Sequence, residues 1–327
     1  MLEDYINALR AGQRATRAAQ ARGQSPYLAV LDDILRGVNI VAQEPLGLVD
    51  IPAESIVGTK TAGRHTAFAP NFMPILEVDS EFARKWSNLC DAHLEEGIQN
   101  PVTAYEYLNK FYVEEGNKRV SVLKYYEAVK IPGTVTRLVP ERNETLENKI
   151  YYEFLDFYKL SKINYVHFSR LGGYAKLQTL ACKATGESWT DGDRLNFASL
   201  YTMFSQQFYA LGGSALGLTP GDALLVYLAV YRYSDAIEST PAQVRENLSK
   251  LWDEIKILTR PQAVELQLEP ATKQGAEPLL SKLNIFSPRP SELRVVFLHE
   301  HNAQTSAWVR GQDKGRDALL KAFPGRV

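Results

Sequence analysis

Residues 97–140 read GIQNPVTAYEYLNKFYVEEGNKRVSVLKYYEAVKIPGTVTRLVP, and the order of apolar runs and turn residues in this stretch decides the predicted fold. Apolar and β-branched residues predict strands over residues 102–107, 110–113 and 134–139, with a turn at Asn109. Gly116 breaks the second strand, and the apolar period changes to that of a helix over residues 120–130. The stretch therefore predicts three strands with a helix between the second and the third.

The candidate binding site of this unit is the turn formed by Gly116, Asn117, Lys118 and Arg119. It places two cationic side chains beside the free backbone N–H groups at the start of a helix, an arrangement that binds anions, most often phosphate. Glu114 and Glu115 precede the turn, and three interpretations of these carboxylates stay open. They hold Mg²⁺ together with substrate phosphates, they act in acid–base chemistry, or one pairs with Lys118 or Arg119 while the other is solvated.

Composition narrows the class of protein. The 327 residues are 45% hydrophobic, as in globular proteins, and the net charge of −1 gives no overall basic field for nucleic acid. Cys90 and Cys182 lie far apart, without metal-binding spacing or a disulfide framework. No segment has the ~20 consecutive apolar residues of a membrane span. Residues 1–24 are polar and rich in Arg and Ala, unlike a secretory signal, so we expect a cytoplasmic protein.

Upstream of the quoted stretch, the sequence predicts helices over residues 2–22 and 27–35. The arginines of the first helix form either a phosphate-binding arm or a solvated face; they are Arg10, Arg14, Arg17 and Arg22. Residues 58–79 predict an irregular loop, in which Lys60 and Arg64 either make a second phosphate contact facing Arg119 or bind nothing. Ser80 is predicted to cap the next helix.

Residues 48–140 resemble the ParB/sulfiredoxin superfamily. The residues that carry the resemblance are the predicted first strand at 51–57, Arg64 followed by Phe68, a helix over 80–96, the Gly97-Ile98-x-x-Pro101 entry and the Gly116-x-x-Arg119 turn. This chain departs from the family in two places. Lys118 stands where the family commonly has Arg or His, and the loop around Arg64 is longer.

The resemblance implies a nucleotide-binding domain in which the predicted strands form a small mixed sheet. It would hold a nucleoside triphosphate, CTP or ATP, through Gly116, Asn117, Lys118 and Arg119, with Arg64 opposite the turn and Glu115 on Mg²⁺. In ParB relatives a helical DNA-binding segment follows this domain. Residues 160–180 are accordingly either a helix-turn-helix, with Arg170, Lys176 and Lys183 on DNA phosphates, or part of a packing bundle. DNA binding and a homodimer both stay open.

Beyond residue 140 the sequence pattern changes from predicted strands to predicted helices. Aromatic-rich helices are predicted over 144–158, 176–184 and from 191 onward, then over 224–233 and 244–258. Thr219-Pro220 and Thr240-Pro241 each predict a helix start. Together these segments predict a helical domain, followed by a Pro-rich linker.

The last 35 residues predict one strand and one helix. Arg294–Glu300, Ser306–Trp308 and Asp313–Arg316 resemble the first β-α unit of the basic-membrane-protein family, which includes nucleoside-binding type 1 periplasmic binding proteins. A lone unit cannot bury both sides of a parallel strand, so we expect the chain to be part of a longer protein. His299 and His301 lie two apart at the strand end, without a third metal ligand nearby.

The sequence therefore predicts an α+β protein with five segments. They are N-terminal helices (1–47), a ParB-like domain (48–142), a helical domain (143–260), a linker (261–292) and the start of a periplasmic-binding-protein-like domain (293–327). We expect a nucleotide- or ligand-sensing regulatory protein coupled to a nucleoside-type solute-binding domain, and not primarily an enzyme. Two alternatives stay open, a substrate-binding component of an ABC transporter and a ParB-like nuclease or nucleotide hydrolase.

Overall fold

Six strands form one mixed sheet in the computed structural model, which describes residues 2–259. In chain order the strands are β1 (Ala29–Val30), β2 (Ile40–Pro52), β3 (Ile56–Thr59), β4 (Val102–Tyr107), β5 (Lys110–Glu115) and β6 (Lys130–Pro140). Their order across the sheet is β1-β3-β5-β4-β6-β2. The predicted α+β class is therefore confirmed.

The predicted hairpin lies in the middle of this sheet. Strands β4 and β5 pair in antiparallel fashion across Leu108 and Asn109, both of which have positive φ angles, 51° and 62°. Two consecutive positive φ values give a turn that matches the twist of the flanking strands. On either side, β6 pairs in parallel with β4 and β3 pairs in parallel with β5, while β2 pairs with β6 in antiparallel fashion.

Three helices and a short helical turn accompany the sheet. They are α1 (Leu2–Ala21), α2 (Leu31–Ile34), α3 (Glu81–Glu95) and α4 (Asn117–Tyr125). The predicted cap of α3 is confirmed, because the Ser80 hydroxyl accepts a hydrogen bond from the backbone N–H of Ala83 at 3.1 Å. Trp86 of α3 is fully buried against Tyr5 of α1, and its Nε1 donates to the Ser121 hydroxyl of α4 at 2.8 Å. This packing fixes the position of α4.

The second half of the described chain is helical, as predicted. Its helices are α5 (Leu146–Ser161), α6 (Gly173–Leu180), α7 (Asp191–Ala210), α8 (Pro220–Val230), α9 (Tyr233–Ile237), α10 (Pro241–Lys250) and α11 (Trp252–Ile257). Thr219 and Thr240 each form a capping box with Pro at the first helical position, as the sequence indicated. The core between these helices is aromatic, with Phe197, Phe204 and Phe208 of α7 fully buried.

Several predicted boundaries were wrong. The predicted helix over 27–35 is instead β1 followed by the single turn α2, because Val30 pairs with Thr59 of β3. The predicted strand over 51–57 is interrupted by a 3-10 turn at Ala53–Ser55, and the predicted helix over 120–130 is displaced to Asn117–Tyr125. Between α5 and α6, residues 162–172 form a long connection instead of the tight turn of a helix-turn-helix.

A buried ion pair joins the sheet to α5. Glu106 of β4 and Arg137 of β6 lie opposite each other in the ladder, with side chains only 1% and 2% exposed. Arg137 Nε donates to the Glu106 carboxylate, which also accepts from the Tyr151 hydroxyl of α5 at 3.1 Å. The Arg137 guanidinium carbon lies 5.2 Å from the Phe154 ring centroid and 4.3 Å from that of Tyr158. Both charges are thus paired and covered.

Three predictions lie outside the described residues. They are the linker (261–292), the C-terminal β-α unit (293–327) and the histidine pair His299 and His301. Within residues 2–259 no helix combines the length and apolar character needed to cross a membrane.

The first prediction concerns the buried pair. Arg137→Met leaves the Glu106 carboxylate buried without its cation, and we expect the free energy of unfolding to fall by about 3–5 kcal/mol in urea denaturation. The double change Glu106→Leu with Arg137→Met removes both charges and should cost less than the single change. As a control, Lys110→Met breaks an exposed pair with Glu147 and should cost about 1 kcal/mol or less. A loss for Arg137→Met as small as that of the control would contradict the proposed importance of the pair.

Candidate functional site

Gly116 sets the geometry of the predicted phosphate turn. It has φ of 106° and ψ of 18°, a left-handed conformation that ends β5 and directs the chain into α4. A Cβ atom here would lie 2.8 Å from Val102 Cγ1 and 3.0 Å from Arg119 Nε. Both the backbone angle and the close approach therefore require glycine.

Asn117 connects the turn to strand β3. Its Nδ2 donates to the Thr59 hydroxyl at 3.2 Å, and that hydroxyl donates in turn to the Val113 carbonyl of β5 at 2.9 Å. Its Oδ1 is shielded from solvent and has no hydrogen-bond partner in the described structure. The side chain therefore holds the start of α4 against the sheet and retains one unused acceptor.

Arg119 is engaged within the protein. Its Nη1 donates to the carbonyls of Asn100 at 2.9 Å and Pro101 at 2.7 Å, and its Nη2 lies 3.5 Å from a carboxylate oxygen of Glu115. The guanidinium group thus ties the Gly97–Pro101 segment to the first turn of α4. This use of Arg119 positions the turn and leaves fewer of its donors for a ligand.

Lys118 and Arg64 form what we call the basic patch. The Lys118 ammonium lies 4.9 Å from the centroid of the Phe82 ring. Burial, followed by the positive charges of Arg64 and Lys85, lowers the pKa of Lys118. Lys85 pairs with Glu81 at 2.5 Å, whereas no ion pair to Lys118 or Arg64 occurs within residues 2–259. An anion bound between these two cations would relieve their repulsion.

The structure brings four of the six predicted site residues into one consecutive turn, with Arg64 near Lys118. Glu115 is separate in character: its side chain is 80% exposed and its nearest cation is Arg119. A Mg²⁺ ion bound near Glu115 would therefore take most of its ligands from water and from the phosphates of a bound ligand, because Mg²⁺ commonly keeps several waters and few protein carboxylates. Among the described residues, no cluster of three or more His, Cys, Asp or Glu side chains is arranged to hold a metal.

The cations proposed for DNA contact are largely occupied. Lys183 pairs with Glu187 at 3.1 Å and with Asp193 at 2.8 Å, and Arg170 Nη2 donates to the Leu258 carbonyl. Together with the long connection before α6, these contacts favour the packing interpretation of residues 160–180.

Sequence reasoning missed the half-buried histidine at position 167. Both ring nitrogens of His167 are shielded from solvent and have no hydrogen-bond partner, and the residue lines a cavity of about 730 Å³ between the sheet and the helical layer. Burial lowers the pKa of His167 to about 4. A histidine within an aromatic run carries no local signal of this environment, because the burial arises from α5 and α8.

Comparisons with known proteins leave the site to be judged on its geometry. No protein-family model matches this chain, and no curated protein matches it at a significant level. The candidate site is therefore described by its geometry alone.

The second prediction concerns Gly116. We expect Gly116→Ala to lower the free energy of unfolding by about 2 kcal/mol or more, because the new methyl group meets Val102 at a positive φ. Gly186→Ala is the matched control, since Gly186 also has a positive φ, 80°, but no atom within 4 Å of its built Cβ. Its free energy of unfolding should fall by only about 1 kcal/mol, the cost of placing alanine at a positive φ. Equal losses in urea denaturation would show that the close approach at Gly116 is unimportant.

The third prediction is a pH dependence. His167 has a folded pKa of about 4, below its ordinary value of 6.5. As pH falls from 6.5 to 4 the unfolded chain takes up the proton first, so stability present above pH 6.5 is progressively lost, by up to about 3 kcal/mol.

His167→Gln should remove this part of the loss when urea denaturation is followed across that pH range. His65→Gln, at a position outside the cavity, should retain it. The same loss in His167→Gln as in the wild type would refute the assignment.

Proposed function

We propose that this chain is a nucleotide-sensing regulatory protein that binds the phosphates of a nucleoside triphosphate at the start of α4. The observation that carries the proposal is the basic patch. Lys118 and Arg64 bring two cations together beside the first turn of α4, and no ion pair within residues 2–259 neutralises them. Backbone N–H groups at a helix start add to the attraction for phosphate.

The resemblance to the ParB/sulfiredoxin superfamily supports the nucleotide as the source of that phosphate. The described chain contains, in the expected order, the loop with Arg64, helix α3, the Gly97–Pro101 entry, the β4–β5 hairpin, the Gly116 turn with α4, and β6. By the C-terminal resemblance, residues 293–327 would couple this site to a nucleoside-type solute-binding domain.

Roles within the turn differ in this proposal. Lys118 and Arg64 contact the phosphates directly, because each acts on the other's charge and neither forms an ion pair within residues 2–259, although the charge of Glu81 also reaches Lys118. Arg119 instead positions the turn, since two backbone carbonyls already accept from it. Glu115, exposed at the end of β5, is placed to approach a phosphate-bound Mg²⁺.

The fourth prediction tests this function by calorimetric titration of ATP, CTP and GTP, with and without Mg²⁺. We expect at least one nucleotide to bind the wild type, and Lys118→Gln or Arg64→Gln to weaken binding about tenfold each, the loss of one charge-assisted contact. Arg119→Ala should lower the melting temperature as well as the affinity, because it also releases Asn100 and Pro101.

Lys149→Gln is the matched control, because Lys149 is on α5 and already pairs with Glu144 at 2.6 Å. It should bind nucleotide as the wild type does. Absence of nucleotide binding by the wild type, or wild-type affinity in both patch variants, would refute the proposed function.

A further inference from the structure

A second cavity lies between the sheet and α7, away from the phosphate turn. It has a volume of about 320 Å³, within the range of small-molecule sites. One wall comes from the end of β2 and the 3-10 turn after it, another from the start of β6, and the third from α7 and Tyr165. We call it the Glu54 cavity, because Glu54 is the acidic residue in its lining.

Tyrosine rings surround much of the Glu54 cavity. Tyr165, Tyr201 and Tyr209 all line it, and the rings of Tyr165 and Tyr201 are 5.6 Å apart at their centroids. The remaining lining is apolar at Pro52, Ala53, Ala128, Val129 and Ala198, and polar at Lys130, Thr202, Ser205 and Gln206. The negative faces of aromatic rings attract organic cations, and apolar walls accept their hydrocarbon bodies.

The carboxylate of Glu54 lies beside two of these tyrosines. Burial and then the charge of Glu54 raise the pKa of Tyr209 to about 12, and the same two causes raise that of Tyr201. No ion pair to Glu54 occurs within residues 2–259. Its charge also reaches Lys124, whose ammonium donates to the Ile56 carbonyl at 2.7 Å. Glu54 is exposed, and its carboxylate already accepts from the Tyr209 hydroxyl. Its remaining lone pairs are available as acceptors at the aromatic wall.

The neighbouring cavity of about 730 Å³ shares Glu54, Tyr201 and Tyr209 with this one. Its other charged lining residues, Lys110 and Glu147, pair with each other at 2.8 Å. Glu54 is thus the acceptor common to both cavities. In the lining of the smaller cavity, the Lys130 ammonium lies 5.9 Å from the Tyr165 ring centroid, so a cation already approaches one of the rings.

We propose that the Glu54 cavity binds a small organic ammonium compound, with the ammonium group on Glu54 and the tyrosine rings and an apolar body in the cavity. An amine and an amino acid share this chemistry. They differ at Lys130, which would pair with the carboxylate of an amino acid and contribute nothing to a simple amine. This site is independent of the proposed nucleotide site.

The fifth prediction uses three probes that share a phenylethyl body: phenethylamine, L-phenylalanine and hydrocinnamate. In calorimetric titrations of the full chain we expect an ammonium-bearing probe to bind, and hydrocinnamate, which has only a carboxylate, to bind at least about tenfold more weakly. Tighter binding of L-phenylalanine, weakened by Lys130→Gln, would identify an amino acid. Tighter binding of phenethylamine, unchanged by Lys130→Gln, would identify an amine.

Glu54→Gln should weaken the ammonium probe about tenfold or more, the loss expected for a hydrogen bond to a charged group. Glu147→Gln is the matched control, because Glu147 lines the neighbouring cavity but is paired with Lys110, and it should bind as the wild type does. The comparison of the three probes uses only the wild type, so it tests the proposal even if Glu54→Gln does not fold. Binding of neither ammonium probe, equal binding of hydrocinnamate, or wild-type affinity in a folded Glu54→Gln would overturn the proposal.

Discussion

The buried pair of Glu106 and Arg137 is the interaction on which the arrangement of the described chain depends. It joins neighbouring strands of the sheet. Helix α5 supplies a further hydrogen bond, from Tyr151 to Glu106, and the Tyr158 ring that packs against Arg137. Burying two charges is costly unless every donor and acceptor is used, so the sheet and α5 have to meet in one register to satisfy them. Through this register, the pair also fixes α5 against the sheet.

Local signals in the sequence predicted much of the fold. The β4–β5 hairpin, the Ser80 cap and the two Thr-Pro helix starts depend on residues within a few positions of one another, and all were confirmed. Strand β2 was missed because it pairs with β6, whose residues are distant in sequence (Ile40 pairs with Pro140 and Pro52 with Lys130). Residues 27–35 were misassigned because Val30 pairs with Thr59 of β3. The buried pair left a signal in the sequence, because Glu106 and Arg137 are charged residues at inward positions of predicted strands.

The candidate turn illustrates the same limit at the level of single side chains. Its position at the start of a helix followed from Gly116 and from the helical apolar period after it, both of which are local signals in the sequence. The partners of Asn117 and Arg119 come from other segments, at Thr59 and at Asn100 and Pro101, so their structural roles were not predictable from the motif. Residues that look equivalent in a four-residue motif thus divide into those that hold the turn and those that face outward.

Strand β2 has a consequence for the behaviour of the protein in solution. Within the described sheet it is an outermost strand of thirteen residues, and it exposes Val41 and Leu48, which are 55% and 71% accessible. A long outer strand offers its unpaired backbone groups to other chains, which promotes aggregation. Two irregularities in its register, one beside Pro45 and Gly47, interrupt that surface, and proline supplies no N–H to a new partner. The irregular pairing of β2 thus protects the protein against edge-to-edge association.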